Sequence, residues 1–115
     1  MTNNNTLPTD FQRFIGLSRY AKWLDTEGRR ETFDETVDRY MDNVVNPKFE
    51  SLNVDLIELR EAIMGLEVMP SMRSLMTAGA AANRDNTCMY NCSYLPVDDP
   101  KSFDEAMFIL LCGTG

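Results

Sequence analysis

The sequence predicts a mostly α-helical N-terminal region that runs into the first strand and helix of an incomplete α/β domain. Three observations carry this. Apolar residues at helical spacing, opened by two capping boxes, fill the first half. The pattern changes character near Met69-Pro70. One strand-like run and one almost wholly apolar helix then follow, and the 115 residues contain no partner strand for the run's backbone donors and acceptors.

Residues 1–8 are polar and Asn-rich and read as a disordered tail. A helical region over 9–68 comes next. Thr9 is placed to N-cap a first helix, with Gln12 completing the box, and Phe11, Phe14, Ile15 and Leu17 lie along one face. Tyr20, Trp23 and Leu24 carry apolar bulk into a turn at Asp25-Thr26-Glu27-Gly28. Thr32-Phe33-Asp34-Glu35 opens a second helix, whose acidic residues suit the positive end of the helix dipole. Its expected buried stripe is Phe33, Val37, Tyr40, Met41 and Val44, and Asn46-Pro47 is expected to end it. A third helix is expected over about 53–64, with Leu56, Ile57, Leu59 and Ile63 apolar and Gly65 as its C-cap.

The second region spans 69–115. A short helical segment at 71–76 gives way to an Ala/Gly stretch at 78–82 and a polar loop at 83–87. A strand is expected over 89–97. Asp99 can cap a last helix with Pro100 at its first position. That helix carries Phe103, Ala106, Met107, Ile109, Leu110 and Leu111. It is apolar on nearly all sides, so it is expected to be buried between layers. Strand and helix both call for cover that would come from a C-terminal continuation.

Composition narrows the function classes. The chain has 11 basic and 18 acidic residues and a formal net charge of -7, which disfavours nucleic-acid binding by phosphate neutralisation. A nucleotide can still be held by a few amides. No run of about 18 apolar residues is present, so no membrane span is expected, and no signal peptide is visible; a cytoplasmic location follows. In that compartment the three cysteines are thiols, metal ligands or redox groups rather than structural staples. The absence of histidine removes imidazole bases and most zinc sites.

Cys88 and Cys92 stand four apart. On one strand they would be about 13 Å apart, too far for a disulfide. No metal site is expected: zinc would need two further ligands, and Cys112 sits in an apolar helix. Cys88 and Cys112 read as small buried hydrophobes. Glu31, Asp34, Glu35 and Asp38 read as a solvated acidic helix face. Gly113-Thr114-Gly115 suggests close approach of the backbone to phosphate or sugar.

Tyr20-Ala21-Lys22-Trp23-Leu24, then Gly28-Arg29, then Glu31-Thr32-Phe33-Asp34-Glu35-Thr36-Val37 resembles the opening of adenosylcobalamin-dependent (class II) ribonucleotide reductases. Met69-Pro70-Ser71-Met72-Arg73-Ser74-Leu75 is similar to that family's Pro-Ser-x-Arg-x-Leu stretch. Asn91-Cys92 is similar to its Asn-Cys strand, and Phe103-Asp104-Glu105 through Gly113-Thr114-Gly115 to the helix that leads into its glycine-rich loop. The ordered match runs from about Tyr20 to Gly115.

The resemblance implies that 69–115 begins a catalytic α/β barrel. It implies that Cys92 is one of two redox-active cysteines that reduce the substrate and form a disulfide in each turnover, its partner lying downstream. By the same resemblance Ser71 and Asn91 contact a ribonucleotide substrate and Gly113 binds it through its backbone. Asp99 falls where a deoxynucleotide effector site begins. Adenosylcobalamin, a thioredoxin-like reductant and the C-terminal remainder of the enzyme are the implied cofactor and partners, with the cobalamin contacts outside this chain. The chain alone is expected to be inactive. Cys88 departs from the family pattern, and the segment between Cys92 and Gly113 lacks the insertion found in monomeric class II enzymes. A helical interaction module without catalysis is the alternative reading.

Overall fold

The computed structural model describes residues 6–49 and 55–115, and within them the chain is mostly α-helical. Of the expected tail, residues 1–5 lie outside the described residues. Leu7 is buried, and the Thr6 hydroxyl donates to Asp34 Oδ1 at 2.8 Å.

Helix α1 (Asp10–Ile15) starts as the sequence predicts, with the full Thr9/Gln12 capping box, and continues into a π-helical turn at Gly16–Tyr20. The turn expected at 25–28 is the tip of a small hairpin. Strands β1 (Trp23–Leu24) and β2 (Arg29–Arg30) pair antiparallel, Trp23 opposite Arg30 and Leu24 opposite Arg29. Gly28 has a φ of 64°, a left-handed conformation that suits glycine, and its amide closes the turn on the Leu24 carbonyl at 2.9 Å.

Helix α2 (Phe33–Tyr40) opens on the Thr32/Glu35 capping box. It does not end at Asn46-Pro47. A π turn at Met41–Val45 follows it, and helix α3 (Asn46–Phe49) follows that. The Asn46 amide bonds back to Met41 O, and Pro47 falls in the first turn of the next α segment, where its missing N–H costs little. The wider π turn also shifts the stripe. The buried positions are Val37, Met41 and Val45, at four-residue steps, while the expected Val44 is only half-buried.

Helix α4 (Leu56–Met64) is capped by Asp55, whose Oδ1 accepts from the Ile57 and Glu58 amides at 3.0 Å each. The expected start near Asn53 lies outside the described residues. Gly65 is the C-cap as expected, but the left-handed residue is Leu66, φ 61°. The amides of Leu66 and Glu67 bond back to Ile63 and Ala62, the paired arrangement that closes many helices. Val37, Met41, Val45 and Ile63 form the core, flanked by Phe33, Tyr40, Leu56, Leu59 and Met64.

Helix α5 (Met72–Thr77) packs on α2. The Ala/Gly stretch and polar loop are helical in part: α6 (Ala80–Arg84) is followed by a 3-10 turn at Asn86–Met89. The strand expected over 89–97 is not formed. Met89 ends the 3-10 turn, and residues 90–98 belong to no ladder. Backbone of this kind needs a neighbour to become a strand, and the described residues supply only two such bonds, given below.

Helix α7 (Lys101–Leu111) begins one residue later than expected, and Asp99 Oδ1 accepts the Lys101 amide at 2.8 Å. It is not buried between layers. Phe103, Met107, Phe108, Leu110 and Leu111 are all exposed, Leu111 at 82%. The chain is also elongated. Its radius of gyration is 16.8 Å, whereas a compact chain of this size measures about 13 Å.

Candidate functional site

Arg73, on α5, points its guanidinium at the segment that carries Cys92. Nε donates to the Cys88 carbonyl at 3.1 Å, Nη1 reaches Asn91 Oδ1 at 3.5 Å, and Nη2 donates to the Gly113 carbonyl. Two loops far apart in sequence are thus held by one planar fork, a geometry that guanidinium provides and ammonium does not.

Thr114 supplies a second tie. It is 1% exposed, and its hydroxyl lies 3.0 Å from the Thr87 carbonyl and 3.2 Å from that of Tyr90. One hydroxyl proton serves one of these carbonyls at a time. The Gly115 amide donates to the Asn91 carbonyl at 3.0 Å, and the Ser93 amide donates to the Gly115 carbonyl at 2.8 Å. Both bonds flank Cys92 and converge on one residue, the spacing of a parallel bridge rather than an antiparallel one. Gly113 has a φ of 89°, which lets the chain turn out of α7 into this bridge.

Three of the residues singled out in the sequence therefore come together: Asn91, Cys92 and Gly113. Ser71 shares with Asn91 a cavity of about 310 Å³, whose lining also includes Ser74, Tyr90 and Lys48. Asp99 does not join. Its carboxylate is engaged at the start of α7. All three cysteines are free thiols, with Cys92 exposed and Cys88 and Cys112 half-buried rather than fully buried. Arg73 and Thr114 were missed as site residues. The signals available were Arg73 inside the Pro-Ser-x-Arg-x-Leu stretch and Thr114 inside the Gly113-Thr114-Gly115 motif, where only the glycines were given a role.

The acidic face of α2 is not the solvated cluster expected. Glu31 is 5% exposed and is bound by Arg39, Thr36 and the Lys22 amide. Burial alone would raise its carboxyl, but the Arg39 hydrogen bonds and charge, with the Lys22 amide, hold it below the ordinary carboxylate range. Glu35 is held down to about 2, first by Arg29 and then by the Thr32 amide. Asp38 pairs with Arg60 at 2.5 Å. Burial, and then the Arg39 charge, lowers the Lys22 ammonium, which donates to the Ala78 carbonyl at 2.8 Å. Among the described residues no three metal-ligating side chains cluster, and no helix is long and apolar enough to cross a membrane.

A second cavity, about 300 Å³, lies between α1, its π turn, α2 and α5, lined by residues such as Phe11, Ile15, Phe33, Met69 and Leu75. It is almost wholly apolar and lies apart from Cys92.

Comparison with known proteins decides the family resemblance. The chain is 32% identical over 97 residues to the adenosylcobalamin-dependent ribonucleoside-triphosphate reductase of Lactobacillus leichmannii, a match covering 74% of this chain and 13% of the relative. The chain is similar to adenosylcobalamin-dependent ribonucleoside-triphosphate reductases. The same figures hold for the enzyme of Lactobacillus delbrueckii subsp. bulgaricus. The enzyme of Lactobacillus gasseri is 29% identical over 94 residues, covering 71% of this chain and 13% of the relative. The chain thus matches about 13% of the length of these curated relatives. The resemblance read from the motifs between Tyr20 and Gly115 is borne out at the level of this reductase group. No family model matches the chain, and no solved structure matches it significantly.

Proposed function

We propose that this chain supplies part of a ribonucleotide reductase, with Cys92 as one of the two thiols that reduce the substrate. The observation that carries the reading is the exposed Cys92 thiol, flanked by backbone bonds to Gly115 and gathered with Asn91 and Gly113 on the Arg73 fork, in a chain similar to such reductases. In the reaction the ribose loses its 2'-hydroxyl as water and gains hydrogen at that carbon. Two thiols become one disulfide and supply the two electrons. The second thiol would come from elsewhere in the enzyme, and a thioredoxin-like dithiol would return the disulfide to thiols by exchange. Chemistry of this kind is radical in character, and the chain alone would be inactive.

Ser71 and Asn91 share a cavity wall, which supports their role as substrate contacts, and Lys48 brings positive charge to the same lining for a phosphate. Gly113 would act through its backbone. Asp99 would belong to a separate deoxynucleotide effector site; its carboxylate is engaged at the start of α7 rather than with this cluster. The parallel bridge between 91–93 and Gly115, linked by α7, is the connection that a strand–helix–strand unit makes, and it supports 69–115 as the start of an α/β barrel.

The relatives are adenosylcobalamin-dependent by name. The two cavities, about 300 and 310 Å³, are too small for a corrinoid, so the residues lining them do not fit it and its contacts would fall outside this chain. When bound, it would supply the radical that starts turnover. A helical interaction module without catalysis would keep its last helix covered, and the exposed apolar side chains of α7 count against it.

The test is Cys92→Ser in an enzyme reassembled from this chain and the remainder of the reductase. Assembly should persist and dithiol-dependent turnover should vanish. Unchanged turnover with a thioredoxin-like reductant would sink the redox assignment.

A further inference from the structure

We infer that Arg73 is a positioning residue for the Cys92 segment, an inference that rests on the redox reading of Cys92 for its purpose but not for its geometry. The Arg73 guanidinium meets three acceptors on two loops: the Cys88 carbonyl, the Asn91 side chain and the Gly113 carbonyl. The first two lie on the chain leading into Cys92, and the third lies at the exit from α7. Holding them together keeps Asn91 and Ser93 in register with Gly115, so the two backbone bonds that flank Cys92 can form.

The need for such a clamp is physical. Residues 90–98 have no ladder of their own, and Cys92 is exposed, so packing does little to fix it. Two backbone bonds alone leave an exposed loop free to open, whereas charge-assisted bonds from one rigid fork tie both of its sides. Lysine could not replace it, because a single ammonium cannot span three acceptors arranged around a plane. The exit loop is fitted to the same fork. A Cβ on Gly113 would sit 2.9 Å from Arg73 Nη2, so even alanine there would push the guanidinium away.

The experiment is amide hydrogen exchange, read by NMR on the full chain, for the wild type and for Arg73→Gln and Arg73→Lys. In Arg73→Gln the Ser93 and Gly115 amides should exchange about tenfold faster, while the core amides of Met41 and Ile63 keep their protection. Arg73→Lys should not restore the slow exchange, whereas a role of charge or bulk alone would be rescued by lysine. Unchanged Ser93 and Gly115 protection in Arg73→Gln, or full rescue in Arg73→Lys, would overturn the inference. If Arg73→Gln also loses core protection, the comparison with the core decides: a loss at Ser93 and Gly115 larger than that at Met41 and Ile63 supports the clamp, and a matching loss overturns it. Cys92→Ser should leave these amides protected, so failure of the redox reading shows in turnover and failure of the clamp shows in exchange.

Discussion

The Arg39 guanidinium holds the buried Glu31 carboxylate at 2.8 Å and also donates to the carbonyls of Leu75 and Ala78, at 2.9 and 2.7 Å. One side chain on α2 thus joins the hairpin to the end of α5, the helix that carries Arg73. Replacing Arg39 with methionine keeps the apolar stem but leaves Glu31 buried and without its partner. Such losses cost about 3 kcal/mol or more. Arg39→Met should therefore lower the urea midpoint strongly, and Glu31→Gln should do so less, because an amide can still accept from Arg39. Equal, small effects from both would show that the pair contributes little.

Acid should act on the same region. Glu31 and Glu35 are both held below the ordinary value of 4.5 in the folded chain, Glu35 at about 2. The unfolded chain then takes up protons first as the pH falls. Their contribution is fully present above about 4.5 and is lost as the pH drops toward 2. The Glu35 pair with Arg29 is partly exposed, so its share is small and salt-sensitive. Stability measured from pH 6 to pH 2 should fall with decreasing pH, and Glu35→Gln should flatten part of that slope. A slope that is unchanged in Glu35→Gln would remove Glu35 from the acid response.

Ile57 and Ile63 make a sharper contrast. Both sit on α4 among its apolar residues, yet Ile63 is 2% exposed and Ile57 is 71% exposed. Ile63→Ala should cost about 2–4 kcal/mol, because it opens a hole against Val37 and Met41. Ile57→Ala should change stability by less than about 0.5 kcal/mol. Denaturant titration of the two variants checks this, and similar losses would contradict the core described above.

That contrast also shows where sequence reading succeeds. Capping boxes at Thr9 and Thr32 are local chemistry, and both form as the sequence predicts. Val37 and Met41 were legible because their spacing survives the entry into the π turn. Val45 was not, since a π turn shifts the register by an amount that no residue pattern here announces. The strand at 89–97 failed for a different reason: a strand-like run forms no ladder without a partner, and the described residues offer it only the two bonds to Gly115. Cys92, Asn91 and Gly113 were singled out through motif order, and the fold brings them near one another. Arg73 and Thr114 act through contacts to loops 15 to 40 residues away in sequence, which local patterns do not encode.

The apolar surface of α7 leads to the last prediction. Phe103, Met107, Leu110 and Leu111 recur at helical spacing and are exposed at 67, 64, 62 and 82%. A stripe of this kind in water binds hydrophobic dyes and drives association. The chain should therefore enhance the fluorescence of an anilinonaphthalene sulfonate dye under native conditions. Phe103→Lys with Leu111→Lys should remove most of that signal. The urea midpoint should barely move, because neither side chain touches the Val37–Ile63 core. The apolar cavity beside α1 offers the dye a rival site, and it is distinguishable: Phe11→Lys would quench the signal there and leave α7 untouched. Full fluorescence in the α7 double variant would assign the exposed surface to α1, and the expectation that α7 requires a covering layer would lose its support.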